Sequence, residues 1–301
     1  MKKTIMNNEF RTPNTERRSP IQYSLFIILY SIFTSVNSFA QLSDNAGARS
    51  SSLGNCSTTL TDVYSMFNNQ AGLATIEHTT IAFGTERKFM LNDLSTHIGG
   101  VAVPTKSGTF ALNIEYFGFK NFSQKKAALA YGRKFSQAIN GGIQFDYLNT
   151  EIPLYGNKSV FSFEAGLQVK VLKALSIGAH VFNPVSMQSG FGDDERIPTY
   201  VKIGFAYTVS DKVLLLGETE KDLKNKPRVK SGVEYKMLKQ LDLRGGIETN
   251  PFISSFGIGL HLGNLNLDLA TSYHQILGVT PSVGLSYQFK QKEKDSIFFQ
   301  F

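Results

Sequence analysis

Side chains that could do chemistry are few and widely spaced. The histidines are His78, His97, His180, His261 and His274, and none sits in a His-Glu-x-x-His pattern that would put two imidazoles and a general base on one helix face. The chain has neither a Gly-x-Ser-x-Gly nucleophile turn nor a Gly-x-x-x-x-Gly-Lys-Ser/Thr phosphate loop. Cys56 is the only cysteine, which leaves no partner for an internal disulfide and no cysteine-rich zinc site. Asp193-Asp194-Glu195-Arg196 could offer carboxylate oxygens to a divalent cation, but such a run is more often a solvated loop. The other charged groups that attract notice are His97, Glu115, Asp146, Glu164, Arg244, Glu248, His261, Asp268 and His274. No nucleophile, base and oxyanion donor can be assembled from them, so we expect a non-enzyme with no cofactor and no metal.

What these groups share is their setting: each alternates with apolar neighbours. Phe110, Leu112, Ile114 and Tyr116 point one way while Thr109, Ala111, Asn113 and Glu115 point the other. Phe161, Phe163, Ala165, Leu167 and Val169 oppose Ser162, Glu164, Gly166, Gln168 and Lys170; Leu241, Leu243 and Ile247 oppose Asp242, Arg244 and Glu248. About fourteen such strands are expected, near 79–87, 94–103, 108–117, 125–135, 138–149, 160–171, 174–183, 200–209, 212–220, 228–237, 240–249, 253–263, 265–274 and 279–290. Each has roughly the ten residues that cross a bilayer at a tilt. Mean hydropathy is only -0.12, yet a barrel hides well at that value because alternate residues alone face lipid. The expected fold is all-β: a transmembrane antiparallel up-and-down barrel, with the charged set as a polar network in the lumen. Connections after odd strands look longer (88–93, 118–124, 150–159, 184–199) than those after even ones, such as Pro104–Ser107 or Ser210-Asp211. That sorting implies an outer-membrane barrel with both termini periplasmic.

The N-terminus fits this destination. Arg17 and Arg18 precede an apolar stretch from Tyr23 to Val36, and Ser38 and Ala40 occupy the small-residue positions of a cleavage site before Gln41. Residues 1–40 therefore read as a signal peptide. Its five cations and two carboxylates account for three of the seven positive charges, leaving +4 on 41–301. Those charges are scattered, with no footprint for nucleic acid.

Residues 41–78 do not alternate. They carry Gly47-Ala48-Arg49 with Leu53-Gly54, then Asp62, then Phe67-Asn68-Asn69-Gln70-Ala71-Gly72-Leu73. This stretch resembles the start of the PorV/PorQ group of Bacteroidota outer-membrane proteins, within the wider FadL-like barrels. The second motif departs from the family pattern, with Asn69 or Gln70 where proline is usual. The resemblance implies that 41–78 form a hatch inside the barrel (79–290), followed by a periplasmic tail (291–301). A barrel this wide has a lumen its own side chains cannot fill, so a plug is physically reasonable. The motif residues are expected to shape the hatch rather than touch a ligand.

The resemblance further implies an accessory subunit of a type IX-like secretion or outer-membrane assembly complex, partnered by membrane lipid and a larger protein assembly. The alternative is a FadL-like channel for hydrophobic small molecules, with an apolar ligand held between hatch and wall. Leu214, Leu216, Val101 and Val103 are its candidate lumenal apolar groups.

Overall fold

The computed structural model describes residues 46–153, 156–187, 197–222 and 225–289. The leader, the acidic run at 193–196 and the tail lie outside them.

Fourteen strands form: β1 (Thr80–Arg87), β2 (Ser95–Thr105), β3 (Gly108–Phe119), β4 (Phe122–Lys134), β5 (Ile139–Ile152), β6 (Gly156–Lys170), β7 (Leu175–Phe182), β8 (Tyr200–Ser210), β9 (Val213–Asp222), β10 (Arg228–Leu238), β11 (Leu241–Glu248), β12 (Ile253–Leu262), β13 (Leu265–His274) and β14 (Gly278–Gln288). Each pairs antiparallel with its chain neighbours, and β1 pairs with both β2 and β14 to close the barrel. Closure leaves no edge with unpaired backbone groups, which an apolar surrounding would penalise. The alternation sorts as the period of two requires. Leu112, Ile114, Leu129, Ile143, Phe163 and Ile203 are exposed on the outside, whereas Asn113, Gln144, Asp146, Glu164, Lys202 and Glu234 are buried inside. Apolar outside and charged inside is the distribution of a protein whose solvent is hydrocarbon.

Two expected loops are strand instead. Residues 118–124 form a hairpin around Lys120-Asn121, with Phe119 opposite Phe122, and 150–159 is mostly ladder, with Ile152 opposite Gly156. Alternation fades there because β3 to β6 run beyond the apolar band, where both faces can be polar while backbone pairing continues. The longer connections at that end are 88–94 and 183–199. We call it the loop end, and the opposite one the turn end.

Residues 46–78 sit inside the strands. They hold two short helices, α1 (Ala48–Ser52) and α2 (Ser65–Asn68), and a 3-10 turn at Gln70–Thr75. One cluster packs Val63, Tyr64, Met66, Phe67 and Leu73 against Ala82, Ile98, Ala102, Ala111 and Ala130 of the wall. A second packs Leu53, Cys56 and Leu60 against Ala206, Leu216 and Leu214. In both clusters the hatch supplies about half of the apolar core and the wall the rest.

Candidate functional site

The hatch meets the wall at three kinds of contact. The first is backbone on glycine. A Cβ at Gly142 would lie 2.4 Å from the Gln70 carbonyl carbon, and one at Gly246 only 2.1 Å from the Gly54 nitrogen. Gly132 pairs with Gly142 on the Gln70 side, and Gly232 with Gly246 on the Leu53 side. These glycines let the hatch chain lie directly on the sheet. Gly54 itself has φ +64, and Asn55 follows at φ 61, so the chain turns in the left-handed region where it touches β11.

The second is charge. Arg49 forks onto Glu234, with Nε 2.9 Å from Oε2 and Nη2 2.8 Å from Oε1, while Nη1 reaches Asp62 Oδ2 at 3.0 Å. Glu234 also accepts from Arg244 Nε at 2.7 Å, and Arg244 continues to Asp242 and Asp268. One chain of ion pairs therefore joins α1 to β10, β11 and β13. Burial raises the Asp62 carboxyl above its usual range, and Arg49 pulls against that rise.

The third is capping of hatch backbone by wall carboxylates. Glu218 Oε2 accepts from Ser57 N (2.8 Å), Thr58 N (2.8 Å) and Thr58 Oγ1 (2.6 Å), and Asn55 Nδ2 donates to Glu248 Oε2 at 2.7 Å. Lys230 neutralises the same region, with Nζ 3.1 Å from Glu218 and 2.6 Å from Glu220. Bonds of this kind satisfy the donors of a non-regular segment that would otherwise be buried unpaired.

Motif residues take distinct parts in this seating. Gly47 has φ +99 beneath the Tyr64 ring. Asn68 exchanges two 2.8 Å bonds with the backbone of Ala46. Asn69 accepts from Ala71 N to cap the 3-10 turn and donates to Thr58 O. Gln70 Nε2 donates to Glu164 at 2.7 Å. Ala48, Ala71 and Leu73 are buried, and a Cβ at Gly72 would strike Ser65 Oγ at 2.3 Å.

Of the polar set, Glu115, Asp146, Glu164, Arg244, Glu248 and Asp268 are buried in the lumen. The first three meet around Lys126, the others lie on the far wall. His261 lines the turn end, bonded to Asp242 and Asn266 at 2.8 Å each. His97 is misplaced by the alternation argument: it points outward, opposite Thr85 and Tyr116. The inward face of β2 carries Ile98, which the hatch covers with Val63 and Met66, so polarity there does not mark the lumen. Val101 and Val103 go outward for the same reason of register, opposite Leu112 and Phe110. Leu214 and Leu216 do face in and pack with Leu53 and Leu60; Leu214 also borders the cavity at the turn end. His274 caps the β13–β14 turn, its Nδ1 accepting from Ile276 N and Leu277 N, apart from the network. Glu218, Lys230 and Glu234 bond the hatch directly, and Lys126 and His180 hold the Glu164 that accepts from Gln70; the inward positions of all five were readable from the same period of two.

Above the charged layer, towards the loop end, Leu148, Phe182 and Tyr200 form a buried apolar cluster with Ile197. Below the hatch, at the turn end, lies a cavity of about 590 Å³ lined by Asp62, Tyr64, Lys212, Asp242, His261 and Asp268 among others. Among the described residues no group of His, Cys, Asp and Glu is arranged to hold a metal ion.

No family model and no curated protein matches this chain. Solved structures do. The Ralstonia pickettii toluene transporter TbuX superposes with a TM-score of 0.65 at 11% identity, over 82% of this chain and 99% of that one. The P. putida toluene transporter TodX gives 0.64 at 12%, over 83% and 100%. A Pseudomonas aeruginosa FadL homologue gives 0.63 at 12%, over 83% and 99%. At such identities the likeness is one of fold: this chain is a closed fourteen-stranded barrel of the FadL type.

Proposed function

We propose that the protein is a plugged outer-membrane channel for hydrophobic small molecules, with its turn end and both chain ends in the periplasm. The observation that carries this reading is the pairing of a lipid-compatible barrel with a lumen occupied by a desolvated hatch. A general porin needs a watery bore, and a lumen filled by residues 46–78 argues against that use. Solved barrels of this fold include toluene transporters and a monoaromatic hydrocarbon channel. The apolar cluster of Leu148, Phe182 and Tyr200 offers a place where an apolar solute would leave water before meeting the charged layer. The accessory-subunit reading rests on the N-terminal motif and on a compact barrel with mostly short loops.

The test is gentle detergent extraction from native membranes, followed by native separation and mass spectrometry of protein and extracted lipid. A lone barrel enriched in one apolar species, which then binds again to lipid-stripped protein, is the expected result. A stoichiometric large partner with no enriched apolar species overturns the channel reading in favour of the accessory subunit.

A further inference from the structure

Six hairpins close at the turn end, and five of them, consecutive around the barrel, carry an exposed cation. Lys106 follows β2, Arg133 stands near the end of β4, Lys173 follows β6, Lys212 follows β8 and Lys239 follows β10. Arg133 lies on the outer face, because Gly132 next to it faces the hatch. The β12–β13 turn at Gly263-Asn264 has no cation, and Asp211 is the single carboxylate in the other five turns. None of the five cationic side chains has a carboxylate partner among the described residues. Neighbouring hairpins stand two strand spacings apart, roughly 10 Å, so the cations line an arc of about 40 Å along the sheet. Charges at such spacing are only partly screened, and the arc attracts anions.

Apolar side chains stand beside these cations. Phe135 is 68% exposed, Leu172 61%, Leu238 59% and Val209 52%. Close to Lys106, the Phe110 and Tyr131 rings pack at 4.7 Å, and Tyr131 Oη donates to Ser107 O at 2.6 Å. An acidic protein would answer the charges but not the repeated apolar groups. A membrane interface answers both, with the apolar groups among acyl chains and the cations at phosphate level. The loop end is arranged differently: Lys125 there pairs with Glu151 at 3.2 Å, and Asp93 and Asp222 stand among its other cations.

We propose that the turn end binds anionic phospholipid of the leaflet it faces. Lys106, Arg133, Lys173, Lys212 and Lys239 hold the phosphates, while Phe135, Leu172, Val209 and Leu238 enter the acyl boundary. Naming that leaflet the inner one rests on the turn end being periplasmic. The arc itself does not rest on that reading, nor on what crosses the lumen.

The experiment places the full mature chain in phosphatidylcholine vesicles doped with spin-labelled phosphatidylglycerol or spin-labelled phosphatidylcholine, and reads the motionally restricted fraction of each. A symmetric vesicle offers the same lipids to both ends, so the result is independent of orientation. We expect phosphatidylglycerol to be preferred about two- to fivefold at low salt. The preference should fall towards unity in about 1 M sodium chloride, where the Debye length is about 3 Å. Replacing the five turn cations together (Lys106→Gln, Arg133→Gln, Lys173→Gln, Lys212→Gln, Lys239→Gln) should abolish it. The same change at Arg87, Lys120, Lys125, Lys158 and Lys221 of the loop end should leave most of it. Equal retention of the two lipids by the natural protein would overturn the proposal and leave the cations to an acidic protein. A preference kept in the turn-end variant would overturn it too. Should the fivefold variant not fold, Lys173→Gln with Lys239→Gln must lower the preference, and an unchanged value has the same meaning.

Discussion

Replacing Arg49 by methionine keeps an unbranched apolar stem and removes the fork that holds α1 to Glu234. Breaking a fully buried ion pair by removing one partner costs about 3–5 kcal/mol. Glu234 is buried, but Arg49 keeps 22% of its side chain accessible, and Asp62 keeps 23%. Glu234 also retains Arg244 at 2.7 Å. Solvent screening and that remaining partner bring the expected cost to about 2–4 kcal/mol of hatch seating. Cys56 reports it directly. It is the only cysteine, it is buried between Leu53 and Ala206, and burial followed by the nearby Glu218 carboxylate holds its thiol well above the ordinary range. Maleimide labelling of the folded protein then requires the hatch to open. At tenfold per 1.4 kcal/mol, the labelling rate of Arg49→Met should rise roughly 30- to 700-fold. A surface control at Lys106 should leave the rate unchanged. If Arg49→Met labels within about threefold of the natural protein, less than 0.7 kcal/mol, the ion pair does not hold the hatch.

Further perturbations probe the wall. Gly142→Val puts atoms where the Gln70 carbonyl now lies, and should lower the urea unfolding midpoint by at least the equivalent of about 1–3 kcal/mol; an unchanged midpoint would mean the hatch does not rest on β5. Glu164→Gln weakens an acceptor shared by Lys126, Gln70, Gln144 and His180, and is expected to cost about 3–5 kcal/mol in the same assay. Ile114→Arg, near the middle of the outer face, should cost about 2–4 kcal/mol in vesicles, against about 0–1 for Thr85→Arg close to the loop end. Equal costs at the two positions would place the hydrocarbon band elsewhere on the barrel.

The strands were legible because hydrocarbon outside and a packed polar interior inside impose opposite demands on alternate residues. The pattern misled only where one demand was missing. Beyond the apolar band, at 118–124 and 150–159, nothing distinguishes the faces, and ladder looked like loop. On β2 the hatch turns the inward face apolar through Ile98, so His97 was assigned to the wrong side.

What the sequence by itself determined is the period, the strand count and the existence of a non-alternating N-terminal segment. These are one-dimensional properties, written by solvent on each residue separately. Only the tertiary structure decided what the segment does inside. That Gly142 and Gly246 are seats for backbone, that Arg49 finds Glu234 across 185 positions, and that Gln70 meets Glu164 across 94 depend on closure of the barrel around the hatch. Alternation names the face a residue points to; it carries no information about what stands opposite, because that partner is chosen by the curvature of a closed sheet and not by spacing along the chain.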